Sequence, residues 1–398
     1  MTLDKIYHAA FVLKDIIRKT DVIAAPELNP DAEIILKTEN LQVTGSFKVR
    51  GAAYKISQLS EEEKARGVIA CSAGNHAQGV ALAATKAGAK SLICLPDNAP
   101  LSKIEATKKY GADVCLVPGV YDDAYNKALE LRDSEGYTFV HPFNDEDVIA
   151  GQGTIGLEIL EQVPDVDAVI VPVGGGGLIS GVAYAIKQLN PNVKVYGVQA
   201  SGAPSMVKSV KEGKIKKLAS VSTIADGIAV KEPGDLTFDI VSQYVDELVT
   251  VTDDEVAAAI LALIEQQKLC AEGAGAVSVA AAMFNKVPVA GKKVVCLVSG
   301  GNIDVTILSR VIDRGLLKSG RTLSIQVNLV DKPGQLQGVA NCIADAGGNV
   351  TYINHEKATE DMSITDAYLR ITMETKNFEH IDEILTALSD AGFTYQQF

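Results

Sequence analysis

Residues 167–189 read DAVIVPVGGGGLISGVAYAIKQL: an unbroken apolar run, four consecutive glycines, then apolar residues at helical spacing. A run that is apolar at every position belongs to a strand covered on both faces, as in a parallel sheet. Gly174, Gly175, Gly176 and Gly177 carry no side chains. The bare amides there and at Leu178 therefore face one spot together with the N-terminus of the next helix, which is a cradle for a phosphate. Glycine is entropically expensive to order, so four in succession at a strand end are hard to explain as a mere flexible turn. The run does not fit the dinucleotide fingerprint: a GxGxxG starting at Gly175 needs glycine where Ser180 stands, and no GxxxxGK[ST] occurs. The phosphate need not belong to a nucleotide.

Outward from this stretch the same alternation repeats. Short strand patterns at residues 67–72, 90–96, 112–118, 137–143, 194–200, 247–253 and 293–301 are separated by helical ones, which signals βαβ units and an α/β fold. Two further polar clusters follow strand patterns directly, SAGNH after VIAC and SGGN after VVCLV. In parallel sheets such positions converge on one ligand crevice. Near Ser319, Gly320 and Arg321 the order changes to strand, DKPG turn, helix, two strands (349–358 and 367–375), helix, strand, a βαββαβ unit that marks a separate small domain. This tail carries 4 Lys+Arg against 11 Asp+Glu and is acidic out of proportion to its length.

The bulk composition fits an enzyme of two or three domains: 398 residues, 47% of them hydrophobic. A net charge of −13 with no long basic run speaks against nucleic acid and anionic membranes as partners. Cys71, Cys94, Cys115, Cys270, Cys296 and Cys342 are scattered without a CxxC pair and read as reduced core thiols of a cytoplasmic protein. The first twenty residues form an amphipathic helix with Asp4 and Asp15, not a signal peptide, and no apolar stretch reaches the roughly 18 residues that cross a bilayer.

Taken singly, the remaining motifs have ordinary readings. Lys48, Arg50 and Lys55 of TGSFKVRGA could decorate a helix, and Ser72 or Asn75 could cap the helix that follows SAGNH, leaving His76 solvated. GAGAVS at 273–278 follows a helical stretch and reads as close helix packing. Glu272 could approach a cofactor or be an exposed acid in a turn.

Together, in this order and spacing, TGSFKVRGA, SAGNHAQG, GGGGL and SGGN resemble the serine/threonine dehydratases of the tryptophan-synthase-β-like fold of pyridoxal-phosphate enzymes, over roughly residues 5–318. The resemblance implies a catalytic domain over 1–318, with a small subdomain at about 45–149 and the remainder forming the large one, and a linker at 319–321. It implies dehydration and deamination of L-threonine, and of L-serine, to 2-oxo acid and ammonia. Lys48 and Ser72 become the candidate catalytic residues, with Lys48 holding pyridoxal phosphate as a Schiff base and then taking the α-proton. Phe47, Asn75, the four glycines, Leu178 and Ser299 would bind the cofactor, with Phe47 near the ring, Asn75 at the ring hydroxyl and Ser299 at the pyridine nitrogen. A neutral hydroxyl at that nitrogen makes the ring a weaker electron sink than a carboxylate would, which favours elimination over transamination. The N–H groups of Ser72, Ala73, Gly74, Asn75 and His76 would receive the substrate carboxylate.

Two departures separate the chain from related serine racemases. Ala73 stands where they place a serine, so a second-face acid is missing. Gln199 and Ser205 replace the acidic ligands of their divalent-metal site, so no metal is expected. Residues 322–398 resemble an ACT domain, an α+β ferredoxin-like module that binds amino acids at paired interfaces. Gly334, Gln335, Leu336 and Asn349 are its candidate effector contacts, isoleucine or valine the candidate effectors, and a homodimer or homotetramer the expected assembly. The rival readings are a racemase, a hydroxyaspartate ammonia-lyase, a β-replacement synthase, and an amino-acid sensor whose catalytic half has decayed.

Overall fold

The run that opens the glycine stretch forms strand Ala168–Pro172, buried at all five positions. It is parallel to Lys293–Leu297 on one side and Lys194–Ala200 on the other, so both edges and both faces are covered, as continuous apolarity requires. The computed structural model describes residues 1–357 and 366–398. These divide into two compact units, Met1–Asp304 and Val305–Phe398.

The larger unit holds two sheets. The six-stranded one runs in the order Val22–Ala24, Glu33–Lys37, Lys293–Leu297, Ala168–Pro172, Lys194–Ala200, Glu247–Val251. Only the Val22–Ala24 pairing is antiparallel. The four-stranded one is all parallel, in the order Asp113–Val117, Ser91–Pro96, Val68–Cys71, Thr138–Phe139. The eight strands of this unit read from the sequence are all present. The two N-terminal strands were not foreseen, because Glu33–Lys37 lies outside the βαβ alternation and reaches the sheet by pairing with Lys293–Leu297, about 260 residues later. The expected N-terminal helix is Leu3–Leu13, burying Ile6, Ala9 and Leu13.

Helices Lys48–Ser57, Asn75–Lys86 and Glu146–Gln162 pack through glycines. A Cβ on Gly79 would lie 3.0 Å from the Val49 nitrogen, and one on Gly151 would lie 2.6 Å from the Arg50 carbonyl. Arg50 does not decorate a surface. Fully buried, it grips Glu39 through Nε and Nη2 at 2.8 Å and Glu158 through Nη1 and Nη2 at 2.6 and 3.0 Å. Losing one member of such a buried pair costs about 3–5 kcal/mol, because the other charge stays buried unpaired. The network thereby holds the first turn of helix Lys48–Ser57 against helix Glu146–Gln162.

In the second unit, strands Thr322–Val330, Asn349–Lys357, Asp366–Glu374 and Thr394–Gln397 form an antiparallel sheet, with the second and fourth at its edges. Helices Gln335–Asp345 and Phe378–Asp390 cover it through Val339, Ile343, Ile384 and Leu388. The order matches the βαββαβ reading, of whose strands Ala358 lies outside the described residues. The division between units precedes helix Val305–Lys318, whereas the sequence reading put it at 319–321. No helix among the described residues is long and apolar enough to cross a membrane. All six cysteines are free, but they are not all core thiols, since Cys270 is exposed and Cys115 and Cys342 are half-buried.

Candidate active site

Three strand ends and one helix start meet in the larger unit. Ser46 bridges Gly300, the Phe47 N–H donates to the Ser299 carbonyl at 3.1 Å, and the Gly301 N–H donates to Gly45 at 2.9 Å. This seam pins Lys48, the first residue of its helix, beside the end of strand Lys293–Leu297. The Lys48 amine lies 5.2 Å from the Phe47 ring centroid and donates to the Pro142 carbonyl at 2.9 Å. The residue keeps partial exposure, yet protein atoms surround its amine. That desolvation, opposed by the charge of Glu272, pulls its pKa from 10.5 to about 8.

After strand Val68–Cys71, residues 72–74 turn into helix Asn75–Lys86. Neither Ser72 nor Asn75 caps it. The cap position is Gly74, whose N–H donates to the Ser72 hydroxyl at 3.1 Å. Ser72, Ala73, Gly74 and Asn75 are partly exposed, so the start of this helix is open to an anion. His76 is buried, not solvated: its Nε2 donates to the Val140 carbonyl at 2.8 Å, and burial lowers its pKa to about 3. Its ring is neutral and turned away, leaving only its amide for a ligand.

Asn75 instead turns toward the SGGN and CAEGAGA segments. Its Nδ2 donates to Glu272 at 2.6 Å, and its Oδ1 accepts from Asn302 at 2.7 Å. Glu272 is buried, and burial together with the charge of Asp226 pushes its pKa up to about 7. Of its two sequence readings, the exposed acid in a turn is wrong. Gly275 supports the packing reading of GAGAVS, since a Cβ there would meet the Gly300 carbonyl at 2.2 Å. Ser299 is buried, with its hydroxyl 3.3 Å from the Ala274 carbonyl.

The glycine run caps helix Gly177–Leu189 through Gly176, at φ +98°. Gly175, Gly176 and Gly177 leave no room for a side chain, and Gly174 leaves little. A Cβ on Gly175 would meet the Phe143 ring at 2.5 Å, one on Gly176 the Met206 methyl at 2.6 Å, one on Gly177 the Phe143 Cα at 2.8 Å, and one on Gly174 the Ile228 Cα at 3.1 Å. The HPF segment joins this loop to Lys48: Phe143 lies against Gly175 and Gly177, and Pro142 accepts from the lysine. His141 orders the segment by accepting the N–H groups of Phe143 and Asn144 at 3.2 and 2.8 Å, and burial holds it neutral with a pKa of about 4.

The structure thus brings together Phe47, Lys48, Asn75, Ser299 and the glycine loop, and leaves Leu178 buried behind the loop. Gln199 is buried, its Oε1 accepting the Val207 N–H at 2.9 Å, and Ser205 is buried at the start of helix Ser205–Glu212. Gly334, Gln335 and Leu336 begin helix Gln335–Asp345 of the other unit, where Asn349 donates to Glu374 at 2.8 Å. Sequence reasoning did not single out Pro142, Phe143 or Asn302. Pro142 and Phe143 ended the strand pattern at 137–143 and Asn302 closed SGGN, and no role was read for any of them.

A buried amine of lowered pKa, a side-chain-free loop at a helix N-terminus and a buried neutral hydroxyl fit an aldehyde cofactor with a phosphate and a ring nitrogen. The chain belongs to the family of pyridoxal-phosphate dependent enzymes, whose model matches residues 13–300. It is 51% identical to L-threonine ammonia-lyase of Thermotoga maritima over 99% of this chain and 98% of that protein. Among solved structures, the processed form of threonine deaminase isoform 2 from Solanum lycopersicum superposes with a TM-score of 0.75 at 38% identity, covering 80% of this chain and 90% of that one. Maize serine racemase gives 0.74 at 35%, covering 79% and 98%.

Proposed function

We propose that the chain is a pyridoxal-phosphate-dependent threonine ammonia-lyase, converting L-threonine to 2-oxobutyrate and ammonia and accepting L-serine. The observation that carries this is the Lys48 amine, desolvated to a pKa of about 8 and set between the glycine loop and Ser299. Bound here, the cofactor supplies the electron sink that makes the substrate Cα–H acidic. The residues do the rest. Lys48 holds the cofactor and, once displaced, is a base whose neutral form is accessible near neutral pH. The amides at 72–76 orient the substrate carboxylate, and Ser72 sits beside them as a second candidate for proton handling. Asn75 and Ser299 hold the ring edge, with Ser299 offering the nitrogen no negative charge. The amides of the glycines and Leu178 hold the phosphate.

The racemase and sensor readings are weaker. Ala73 offers no side-chain acid for a second face, and an unused catalytic half has no reason to keep the segments of Lys48 and Ser299 paired and Asn75 tied to them through Asn302. Gln199 is committed to a backbone amide, which supports a site without a divalent metal. Chelation with EDTA is accordingly expected to leave turnover unchanged.

We assign the second unit as an ACT-like regulatory domain on its strand order and on the helix start after DKPG. Amides at Gly334, Gln335 and Leu336 suit a carboxylate. Asn349, whose Nδ2 already serves Glu374, has its Oδ1 left for an amino group across an interface between two copies, in a homodimer or homotetramer. Six free cysteines fit the reducing cytoplasm. A panel of L-threonine, L-serine and threo-3-hydroxyaspartate, with 2-oxo acid and ammonia both quantified, tests the function. Threonine is expected to turn over fastest with equal yields of the two products; turnover of hydroxyaspartate alone, or a D-amino acid as main product, overturns the reading.

A further inference from the structure

The side-chain amide of Asn75 is gripped on both ends. Its nitrogen donates to Glu272 at 2.6 Å, and its oxygen accepts from Asn302 at 2.7 Å, while the same Asn302 nitrogen donates to the Thr44 carbonyl at 2.8 Å. Each partner sits where a glycine leaves room: a Cβ on Gly300 would lie 2.3 Å from Glu272 Oε1, and one on Gly45 would lie 2.5 Å from Asn302 Oδ1. An asparagine amide has two orientations that exchange oxygen and nitrogen. An ionised carboxylate only accepts, and the Asn302 nitrogen only donates, so together they permit one. In that orientation a single N–H of Asn75 remains uncommitted.

We infer that Glu272 and Asn302 are positioning residues for Asn75, fixing its amide so that the free N–H points at an acceptor oxygen on the cofactor ring. This rests on the cofactor reading above. The carboxyl faces Lys48, Asp226, Lys103 and Cys270 besides Asn75, and Lys103 itself pairs with Asp226 at 2.7 Å. Burial and Asp226 push Glu272 up to about 7, so on mild acidification the carboxyl loses its charge and gains a hydroxyl that can donate, and the restriction of Asn75 to one orientation is relaxed.

The test is a double-variant cycle on holoenzyme without substrate, reading the dissociation constant of pyridoxal phosphate and the pH profile of its visible absorption. Losing one charge-assisted hydrogen bond corresponds to about tenfold, so Asn75→Ala and Glu272→Ala are each expected to weaken cofactor binding by about that factor. The Asn75→Ala/Glu272→Ala pair should be no weaker than Asn75→Ala alone. Glu272→Gln, which keeps the volume and an acceptor oxygen but not the charge, should bind like the acidified parent and lose the absorption change centred near pH 7. Additive losses in the double variant, or an unaltered pH profile in Glu272→Gln, overturn the inference. A parent enzyme that binds the cofactor without turning over threonine instead overturns the proposed function, so the two failures are distinct.

Discussion

The Lys48 amine donates a hydrogen bond to the carbonyl oxygen of Pro142 at 2.9 Å. This contact links the lysine to the HPF segment that also packs on the glycine loop, so the group expected to hold the cofactor and the loop expected to hold its phosphate share one support. The hydrogen bond takes one of the amine's protons, and desolvation leaves its pKa at about 8.

Capture of pyridoxal phosphate by apoprotein needs the neutral amine. With a pKa of about 8, roughly a tenth is neutral at pH 7 and nine-tenths at pH 9, so capture should accelerate about ninefold, against a far steeper rise for a free lysine near 10.4. Stopped-flow absorbance, normalised to Nα-acetyllysine, measures this. A rate that climbs equally for both contradicts the lowered pKa.

Gly175→Ala places a methyl group against the Phe143 ring at 2.5 Å. Both stability and cofactor affinity should fall, the former by about 1–3 kcal/mol as in other overpacked sites. Adding Phe143→Ala should relieve the clash without restoring affinity, because the methyl still stands in the phosphate cradle. Recovery of both in urea titrations and cofactor binding would mean that the glycines serve packing alone.

His76 is neutral in the fold, with a pKa lowered by burial from 6.5 to about 3. Below pH 6.5 the unfolded chain takes up a proton that the native chain refuses, so this residue makes stability fall with acidification between about 6.5 and 3, by at most about 1.4 kcal/mol per pH unit. His141, held at about 4, acts in the same direction, while Glu272, raised to about 7, acts oppositely between 7 and 4.5. Urea unfolding of parent and His76→Gln at pH 7 and pH 5 isolates the histidine: the stability advantage of the parent should shrink at pH 5. An unchanged advantage means that His76 titrates normally.

Most of the frame could be read from local pattern. Runs such as 168–172 are apolar throughout because both faces are covered, whereas the glycines at 174–177, read as a phosphate cradle, also make room for Phe143, Met206 and Ile228, which the local pattern did not show. Relationships across long separations could not be read. Glu33–Lys37 joins the sheet only through residues 293–297, and Arg50 resembled a surface cation until Glu39 and Glu158 surrounded it. Local pattern left Glu272 open between an acid near the cofactor and an exposed acid in a turn, because its burial depends on Gly300 and Asn75 meeting it from distant segments.

If the second unit is a sensor, isoleucine or valine must bind with unequal affinity to two states of the enzyme. Calorimetry is expected to show one of them binding the full-length holoenzyme and shifting threonine turnover, and Gly334→Pro, which disturbs the φ +90° helix start, should abolish binding while leaving basal turnover intact. Absence of binding by either amino acid makes the unit an assembly module only.

The most direct measurement is threonine turnover by the parent and by Lys48→Ala, each with saturating pyridoxal phosphate, with 2-oxobutyrate and ammonia quantified together. The parent should release both in a one-to-one ratio and retain the cofactor after borohydride reduction and denaturation. Lys48→Ala should lose at least about three orders of magnitude in rate, the scale of removing a group that acts as both covalent anchor and base, and retain no cofactor. A Lys48→Ala enzyme that still deaminates threonine near the parental rate, or a parent from which denaturation frees all reduced cofactor, would contradict the account.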